Sequence, residues 1–362
     1  MMKRIVTMIM TCASAACLAG CRSSVIDEIP SVGAMSAQVS VDDLPSRATP
    51  QSVGREATVS DVQYLVFGPD GRIADYSRLD GSSAIQRWTS RDLPSEEGYS
   101  LRAVVNGPDL SGVPTLSQLE AVTATLGDFN GTSEDFIMGG KRDGIEVSAG
   151  DVTFIGNIPV SRYVSRVTLV SVTNNLPSSI SAMTLVCAFL SNVPSTVSLF
   201  GTLPQNMSEG VWINKEGRSD AIPRRQDLMI DEYGSNVSLP DLTYRRLSVT
   251  IPNECSSTEP IHLYSYPNPY VGARVDGFNS PFRSQHTRLV LRALYLADGD
   301  IRYTYYPVVL DRGLEANCDC RISLTVNGPG TDDPNGVIEK GNLVVDVTAI
   351  PWDAGGNYVE TL

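Results

Sequence analysis

Short runs of apolar, β-branched and aromatic residues recur along most of the chain, and turn residues separate them. Val62–Phe67 is one such run, and a turn containing glycine and proline leads from it into a second run at Ile73–Leu79. Further along, Ile322, Leu324 and Val326 alternate with polar residues, which is the period of a half-buried strand. The pattern predicts many short strands and a mainly β fold, with two β-sandwiches in series.

One helix is predicted in the first half of the chain. Thr115 and Gln118 have the spacing of a capping box, with Thr115 as the N-cap. Apolar residues then recur at helical spacing from Leu116 to Leu126, and Gly127 can close the C-terminus. We therefore expect one short helix that packs its apolar stripe against a sheet.

The N-terminus has the pattern of an export signal. Met1–Arg4 contains two basic residues, and the apolar stretch Ile5–Leu18 follows. This stretch is shorter than the about 20 residues that a membrane-spanning helix needs. Leu18–Cys21 resembles a bacterial lipobox, so residues 1–20 are predicted to be a signal peptide of the lipoprotein type and Cys21 the lipidated residue. The alternative is an ordinary cleaved signal followed by a chance cysteine.

Composition divides the rest of the chain into three parts. Residues 21–56 are rich in Ser, Asp, Pro and Gly, which predicts a tether or pro-segment with at most one weak strand, at Ala37–Val41. Glycine and proline near Gly201–Pro204 favour a domain boundary there. The resulting expectation is an N-terminal β-sandwich domain at 57–202 and a C-terminal one at 203–362.

Charge and composition exclude several classes of function. With 28 Lys and Arg against 41 Asp and Glu, the 362-residue chain carries a net charge of −13, which argues against a nucleic-acid partner. The 42% of hydrophobic residues suffices for buried cores. The sequence contains no HExxH, phosphate-binding loop or nucleophile-elbow motif. We therefore expect a protein without enzymatic activity, catalytic residues, cofactor or metal.

The histidines and cysteines support that expectation. His262 and His286 have no motif around them and are expected to be surface or lightly packed residues. Cys318 and Cys320 are too close together for a zinc site, and their phase with the following strand places both thiols on its core face. Export permits disulfides, but the sequence leaves open the state of Cys187, Cys255, Cys318 and Cys320.

A series of local phrases carries a family resemblance across nearly the whole mature chain. In order, they are Val62–Gly71, Tyr99–Pro108, Leu116–Leu126, Phe136–Gly139, Val160–Val167, Leu263–Asn268, Thr287–Leu291, Tyr305–Val308, Leu314–Asn317, Asn327–Pro334 and Leu343–Trp352. Together with the lipobox they resemble the fimbrillin superfamily of Bacteroidales, the FimA-like and Mfa-like subunits of type V pili. Cys320 stands where a tyrosine is expected, a departure that affects packing.

The resemblance implies two transthyretin-like β-sandwich domains, with one short helix in the first. It also implies a structural subunit of a surface fimbria that contributes to adhesion. Such precursors are anchored by lipid to the outer membrane and exposed at the surface. An Arg- or Lys-specific protease then removes an N-terminal strand, and a strand from another pilin subunit takes its place by β-strand addition.

The residues of this chain that would serve such maturation can be named. Arg47 is the expected cleavage site, because Pro45 and Pro50 discourage regular structure around it. Arg55 is the rival site, and an uncut linker is the further alternative. Cleavage after Arg47 would release the weak strand at Ala37–Val41.

The C-terminal segment is the expected donor of the replacement strand. Leu343, Val345 and Val347 present one apolar row on it.

Two other roles remain open on the sequence alone. One is the anchor or tip subunit of the same pilus, where an anchor would keep its lipid and its own strand. The other is a surface lipoprotein that binds glycans, for which Tyr264, Tyr266 and Tyr270 would form the aromatic platform. Packing of these tyrosines in the core or at a sheet edge is the favoured interpretation.

Overall fold

The computed structural model describes residues 32–41, 56, 59–80, 85–126, 136–201, 212–213, 242–257, 259–270, 286–334 and 336–352. The first elements are β1 (Val32–Val41), β2 (Asp61–Phe67), β3 (Ile73–Asp80), β4 (Ile85–Thr89), β5 (Leu93–Pro94), β6 (Glu96–Val105), α1 (Leu116–Glu120), β7 (Thr123–Thr125), β8 (Met138–Val147) and β9 (Val152–Arg162). Within the described ranges, no helix has the length and apolar character to cross a membrane. The prediction of a mainly β fold is confirmed.

Eight of these strands form the first sheet, in the order β3-β2-β6-β8-β9-β1-β4, with β5 paired to the start of β1. Neighbouring strands are antiparallel except β1 and β9, which run parallel. Inward side chains of β1 and β9 share one core with those of β2 and β6, so the sheet curls around this core. Inside it, the rings of Tyr64 and Trp88 stack with their centroids 4.8 Å apart.

The remaining strands form a second and a third sheet. They are β10 (Ser165–Asn174), β11 (Ala182–Ser191), β12 (Val193–Pro194), β13 (Thr196–Ser198), β14 (Trp212–Ile213), β15 (Tyr244–Pro252), β16 (Ser256–Ser257), β17 (Ile261–Ser265), β18 (Arg288–Ala297), β19 (Asp300–Val309), β20 (Cys318–Val326) and β21 (Leu343–Pro351). The second sheet has the order β16-β10-β20-β21, with β17 also on β10, and the third has the order β15-β11-β18-β19. Apolar side chains of both sheets form one cluster, as in a β-sandwich.

β2 separates the core of the first sheet from that of the sandwich. Tyr64 and Val66 face the first core. Leu65 and Phe67, on the opposite face, belong to the cluster between the second and third sheets. Every residue of β2 is therefore buried, and the two halves of the chain meet across an apolar contact.

The chain leaves the first sheet between β9 and β10, at residues 162–165, well before the boundary expected at 202/203. β10 and β11 fall within the expected domain 57–202, yet they pair with β20 and β18 of the second half. We therefore propose a division at residues 162–165. The expected boundary rested on glycine and proline content near residue 202, which does not reveal which sheet the flanking strands join.

The helix begins as predicted and ends earlier. The Thr115 side chain accepts a hydrogen bond from the backbone N–H of Gln118 at 3.3 Å. α1 stops at Glu120, and the next residues form β7, which pairs with β13. The predicted helix to Leu126 is wrong over its second half, because the apolar residues beyond Glu120 reach the core from an extended segment. Gly127 lies outside the described residues.

Candidate assembly site at strands β1 and β21

β1 occupies an interior position in the first sheet. Its backbone pairs with β9 in parallel from Ala34 to Val41 and with β4 in antiparallel from Ser36 to Ser40. We refer to the position between β9 and β4 that β1 fills as the β1 slot. The sequence predicted only a weak strand at Ala37–Val41, and the structure extends this strand back to Val32.

Alternate side chains of β1 close the first core. Met35, Ala37 and Val39 point inward and are 0%, 0% and 1% exposed. Burial of a Met or Val side chain contributes about 1.5–3 kcal/mol. An empty β1 slot would therefore expose an apolar trough, and it would leave backbone groups of β9 and β4 without partners.

The start of β1 makes close backbone contacts with neighbouring residues. The backbone N–H of Gly150 donates to the carbonyl oxygen of Val32 at 2.7 Å. Gly33 passes so near its neighbours that an added Cβ would lie 2.0 Å from the carbonyl oxygen of Ser148. Only glycine fits there without displacement, so this contact helps to fix the register of β1 in the slot.

β21 is the edge strand of the second sheet. It pairs with β20 along its full length, and no further strand joins its outer edge in the part of the chain that the structure describes. Leu343 and Val347 are half-buried and pack against the sandwich core, while Val345 lies in the same row and is 38% exposed. An edge of this kind is a template for pairing with another chain.

A buried group of charged and aromatic side chains lies beside the end of β21. We call it the Glu56 cluster, and its members are Glu56, Arg162, Arg166, Tyr264, Asp319 and Trp352. Arg166 donates to Glu56 Oε2 at 2.6 Å and to Asp319 Oδ2 at 2.8 Å. The Tyr264 hydroxyl donates to Glu56 Oε1 at 2.5 Å, and burial together with this carboxylate raises the pKa of Tyr264. The cluster therefore ties the chain before β2 to the second sheet.

No sequence motif predicts the Glu56 cluster. Glu56 lies at the end of a stretch with the composition of a polar linker, and its partners are far away along the chain. Contacts between such distant positions follow only from the folded arrangement of β10, β17 and β20.

Comparison with solved structures identifies the architecture, whereas no family model and no curated protein sequence matches the chain. A candidate cell adhesion protein from Bacteroides eggerthii superimposes with a TM-score of 0.63 at 18% identity, over 89% of this chain and 96% of that one. A fimbrilin from Porphyromonas gingivalis superimposes with a TM-score of 0.61 at 16% identity, over 88% of this chain and 97% of that one. The chain has the fimbrilin fold. The mainly β fold that the sequence resemblance implies is thus confirmed.

The expected processing residues of this fimbrilin-fold chain, Cys21 and Arg47, lie outside the described residues, as does the rival Arg55. Their order along the chain is nevertheless informative. β1 lies between Cys21 and Arg47, so a cut after Arg47 would separate β1 and the lipid site from the rest of the protein.

Three of the four cysteines among the described residues are at least partly shielded from solvent. Cys187 and Cys320 are buried, Cys318 is half-buried and Cys255 is exposed, and all four are free. Burial raises the pKa of Cys187 and Cys320 to about 12 and that of Cys318 to about 11, so these thiols stay protonated at neutral pH. Among the described residues, no group of three His, Cys, Asp or Glu side chains is arranged to hold a metal ion.

The aromatic residues considered for glycan binding lie mostly inside the fimbrilin fold. Tyr264 and Tyr266 are buried, because both project from the same face toward the core, and Tyr270 is half-buried. They do not form an exposed platform. His286 is also buried, beside the Tyr270 ring, which corrects the expectation of a surface histidine. His262 is half-buried, with Nδ1 3.1 Å from the hydroxyl of Thr168.

Proposed function

We propose that the chain is the precursor of a structural subunit of a surface fimbria, a type V pilus that contributes to adhesion. The observation that carries the proposal is the position of β1. This strand completes the first core, yet it precedes Arg47, the expected cleavage site. The shared fold with a fimbrilin and with candidate cell adhesion proteins supports the same role.

Maturation by an Arg-specific protease would open the β1 slot. Cleavage after Arg47 detaches residues 21–47, and β1 then loses its covalent link to β2. Once β1 departs, the apolar trough and the unpaired backbone groups of β9 and β4 favour entry of another strand. Backbone hydrogen bonds supply the affinity of such an addition, and alternating apolar side chains supply its register.

The surroundings of Glu56 favour Arg47 over Arg55 as the cleavage site. A protease that cuts after Arg55 must bind Glu56 in its active site. Glu56 is 4% exposed, and its carbonyl oxygen accepts a hydrogen bond from Arg162 Nε at 2.9 Å. Its carboxylate is bound to Arg166 as well. Cleavage there would require these contacts to break first.

β21 is the proposed donor of the strand that enters the slot. Its row of Leu343, Val345 and Val347 has the alternation that Met35, Ala37 and Val39 have in β1. Other pilin subunits, identical or related, are therefore the proposed partners.

Lipid on Cys21 would hold the precursor at the outer membrane, exposed at the cell surface, before assembly into the fimbria. Stable anchoring takes two or more acyl chains. Metabolic labelling with an alkynyl fatty acid should mark the wild-type chain and not the Cys21→Ala variant. Equal label in the two proteins would contradict this step.

No enzymatic activity is part of the proposal. The fold relatives are fimbrilin and adhesion proteins, and the buried thiols stay protonated. Purified protein should give no turnover in a broad hydrolase screen, and turnover that disappears in His262→Ala or His286→Ala would overturn this view.

The decisive test compares Arg47→Ala with Arg55→Ala. N-terminal sequencing of surface-extracted protein should find wild-type and Arg55→Ala subunits that begin at Ala48, and both should form SDS-resistant ladders. Arg47→Ala should keep residues 21–47 and remain monomeric. Normal maturation and laddering of Arg47→Ala would refute the mechanism, and an uncut, lipidated wild-type chain at the base of fibres would support the anchor role.

A further inference from the structure

The contacts that hold β21 to the rest of the subunit differ along its length. All nine of its residues are exposed or half-buried, and Val344, which points away from the core, is 54% exposed. The residue directly after the strand, Trp352, is by contrast 6% exposed. The firmest attachment of β21 beyond its pairing with β20 is therefore at its C-terminal end.

Trp352 is fixed by the Glu56 cluster through polar and ring contacts. Its indole N–H donates to Glu56 Oε2 at 3.0 Å. Its ring stacks on Tyr264 with centroids 5.7 Å apart and planes at 18°. The guanidinium groups of Arg162 and Arg166 lie 4.9 and 4.8 Å from the centroid of the same ring.

The charged side chains of the cluster compensate one another's charge. Glu56 and Asp319 are two buried carboxylates, and Arg166 pairs with both of them. The side chains of Arg166 and Glu56 are only 12% and 6% exposed. Removing one member of a buried pair leaves the other charge without compensation, which is far more costly than breaking an exposed ion pair.

The Glu56 carboxylate is thus the point where three parts of the chain meet: the segment before β2, the start of β10 through Arg166, and the end of β21 through Trp352. We propose that the Glu56 cluster is a latch that holds the end of β21 in its own subunit. Its consequence for assembly rests on the function proposed above, because a donated β21 must first release Trp352.

The experiment measures hydrogen exchange of backbone amides in the full, uncut precursor. Trp352→Phe removes the indole N–H together with the five-membered ring and keeps a six-membered aromatic ring, and Glu56→Gln removes the charge with little change of shape. Each loses a hydrogen bond to a charged group, so exchange of the β21 amides should accelerate by roughly tenfold or more. The amides of β2 should be unaffected.

A matched control is available in the first sheet. Asp75 of β3 is a buried carboxylate bound to Arg91 at 2.8 Å. Asp75→Asn makes the same kind of charge change in a different sheet from β21, and it should leave β21 exchange at the wild-type rate. Protein cut by the Arg-specific protease is then used to compare the rates of SDS-resistant oligomer formation, which the two latch variants should increase.

The outcomes separate the latch from the assembly mechanism. Unchanged β21 exchange in Trp352→Phe and Glu56→Gln would refute the latch, whatever the chains assemble into. Acceleration spread equally over all strands would refute it as well, because the cluster would then support only global stability. Faster β21 exchange with an unchanged assembly rate would uphold the latch and refute β21 as the donor strand.

Discussion

Replacing Met35 with alanine should destabilise the uncut precursor through the first core. Met35 is fully buried on the inner face of β1, and the change keeps the backbone pairing with β9 and β4. Truncation of a buried Met, Leu or Ile to alanine costs about 2–5 kcal/mol, as lost burial plus the cavity that remains. We expect the lower half of that range, about 2–3 kcal/mol, because only the short strands β4 and β5 border β1 on one side, and they can shift to reduce the cavity.

The assay is urea unfolding followed by tryptophan fluorescence. Trp88 is a suitable reporter because it pairs with Ala37 of β1 and stacks on Tyr64. The control is Gln38→Ala on the outer face of the same strand, which should change the free energy of unfolding by about 0.5 kcal/mol or less.

Two results would contradict the role of Met35 in the core of the uncut precursor. One is an equal shift of the unfolding midpoint in Met35→Ala and Gln38→Ala, which would mean that β1 does not complete the core. The other is a loss of stability in Met35→Ala that persists in mature, assembled subunits, because the proposal removes this residue before assembly.

Three further predictions concern single positions. Gly33→Ala should lower stability by about 1–3 kcal/mol in thermal unfolding, because the added Cβ meets the carbonyl of Ser148, and an unchanged Tm would contradict the register described for β1. Thr115→Ala should cost about 0.5–1 kcal/mol through loss of the N-cap of α1, and no change would show that the cap contributes nothing. Burial and the nearby Arg166 lower the pKa of His262, so its contribution to stability is present above the ordinary value of 6.5 and is lost as the pH falls below it. Urea titrations between about pH 7 and about pH 5 should show a smaller loss for His262→Gln than for wild type, and an equal loss would contradict the assignment.

Local patterns predicted the strands better than they predicted the sheets. The alternation of Ile322, Leu324 and Val326 placed β20 correctly, because a period of two is a direct consequence of strand geometry. The capping residue Thr115 was likewise correct, since the cap is a contact over three residues.

Features that depend on contacts between distant parts of the chain could not be predicted from the sequence. α1 ends early because Thr123–Thr125 pairs with a strand near residue 197, a contact that no helical period contains. The full length of β1 was missed because small and polar residues such as Gly33 and Ser36 dilute its apolar pattern. The hydrogen bond between Trp352 and Glu56 joins positions 296 residues apart, and neither residue has a local motif.

A cross-link between the β1 slot of one subunit and β21 of another would directly test strand donation. Ile158 of β9 is the register partner of Val39, and its side chain lies in the core that β1 closes. Ile158→Cys would be mixed with Val345→Cys or Val347→Cys, each in a Cys255→Ser background, and treated with a short bis-maleimide before and after cleavage by the protease. We expect a cross-linked dimer after cleavage and none before it, because β1 fills the slot of the precursor. No cross-link in assembled polymers with either β21 variant, or equal cross-linking of uncut precursor, would contradict strand donation.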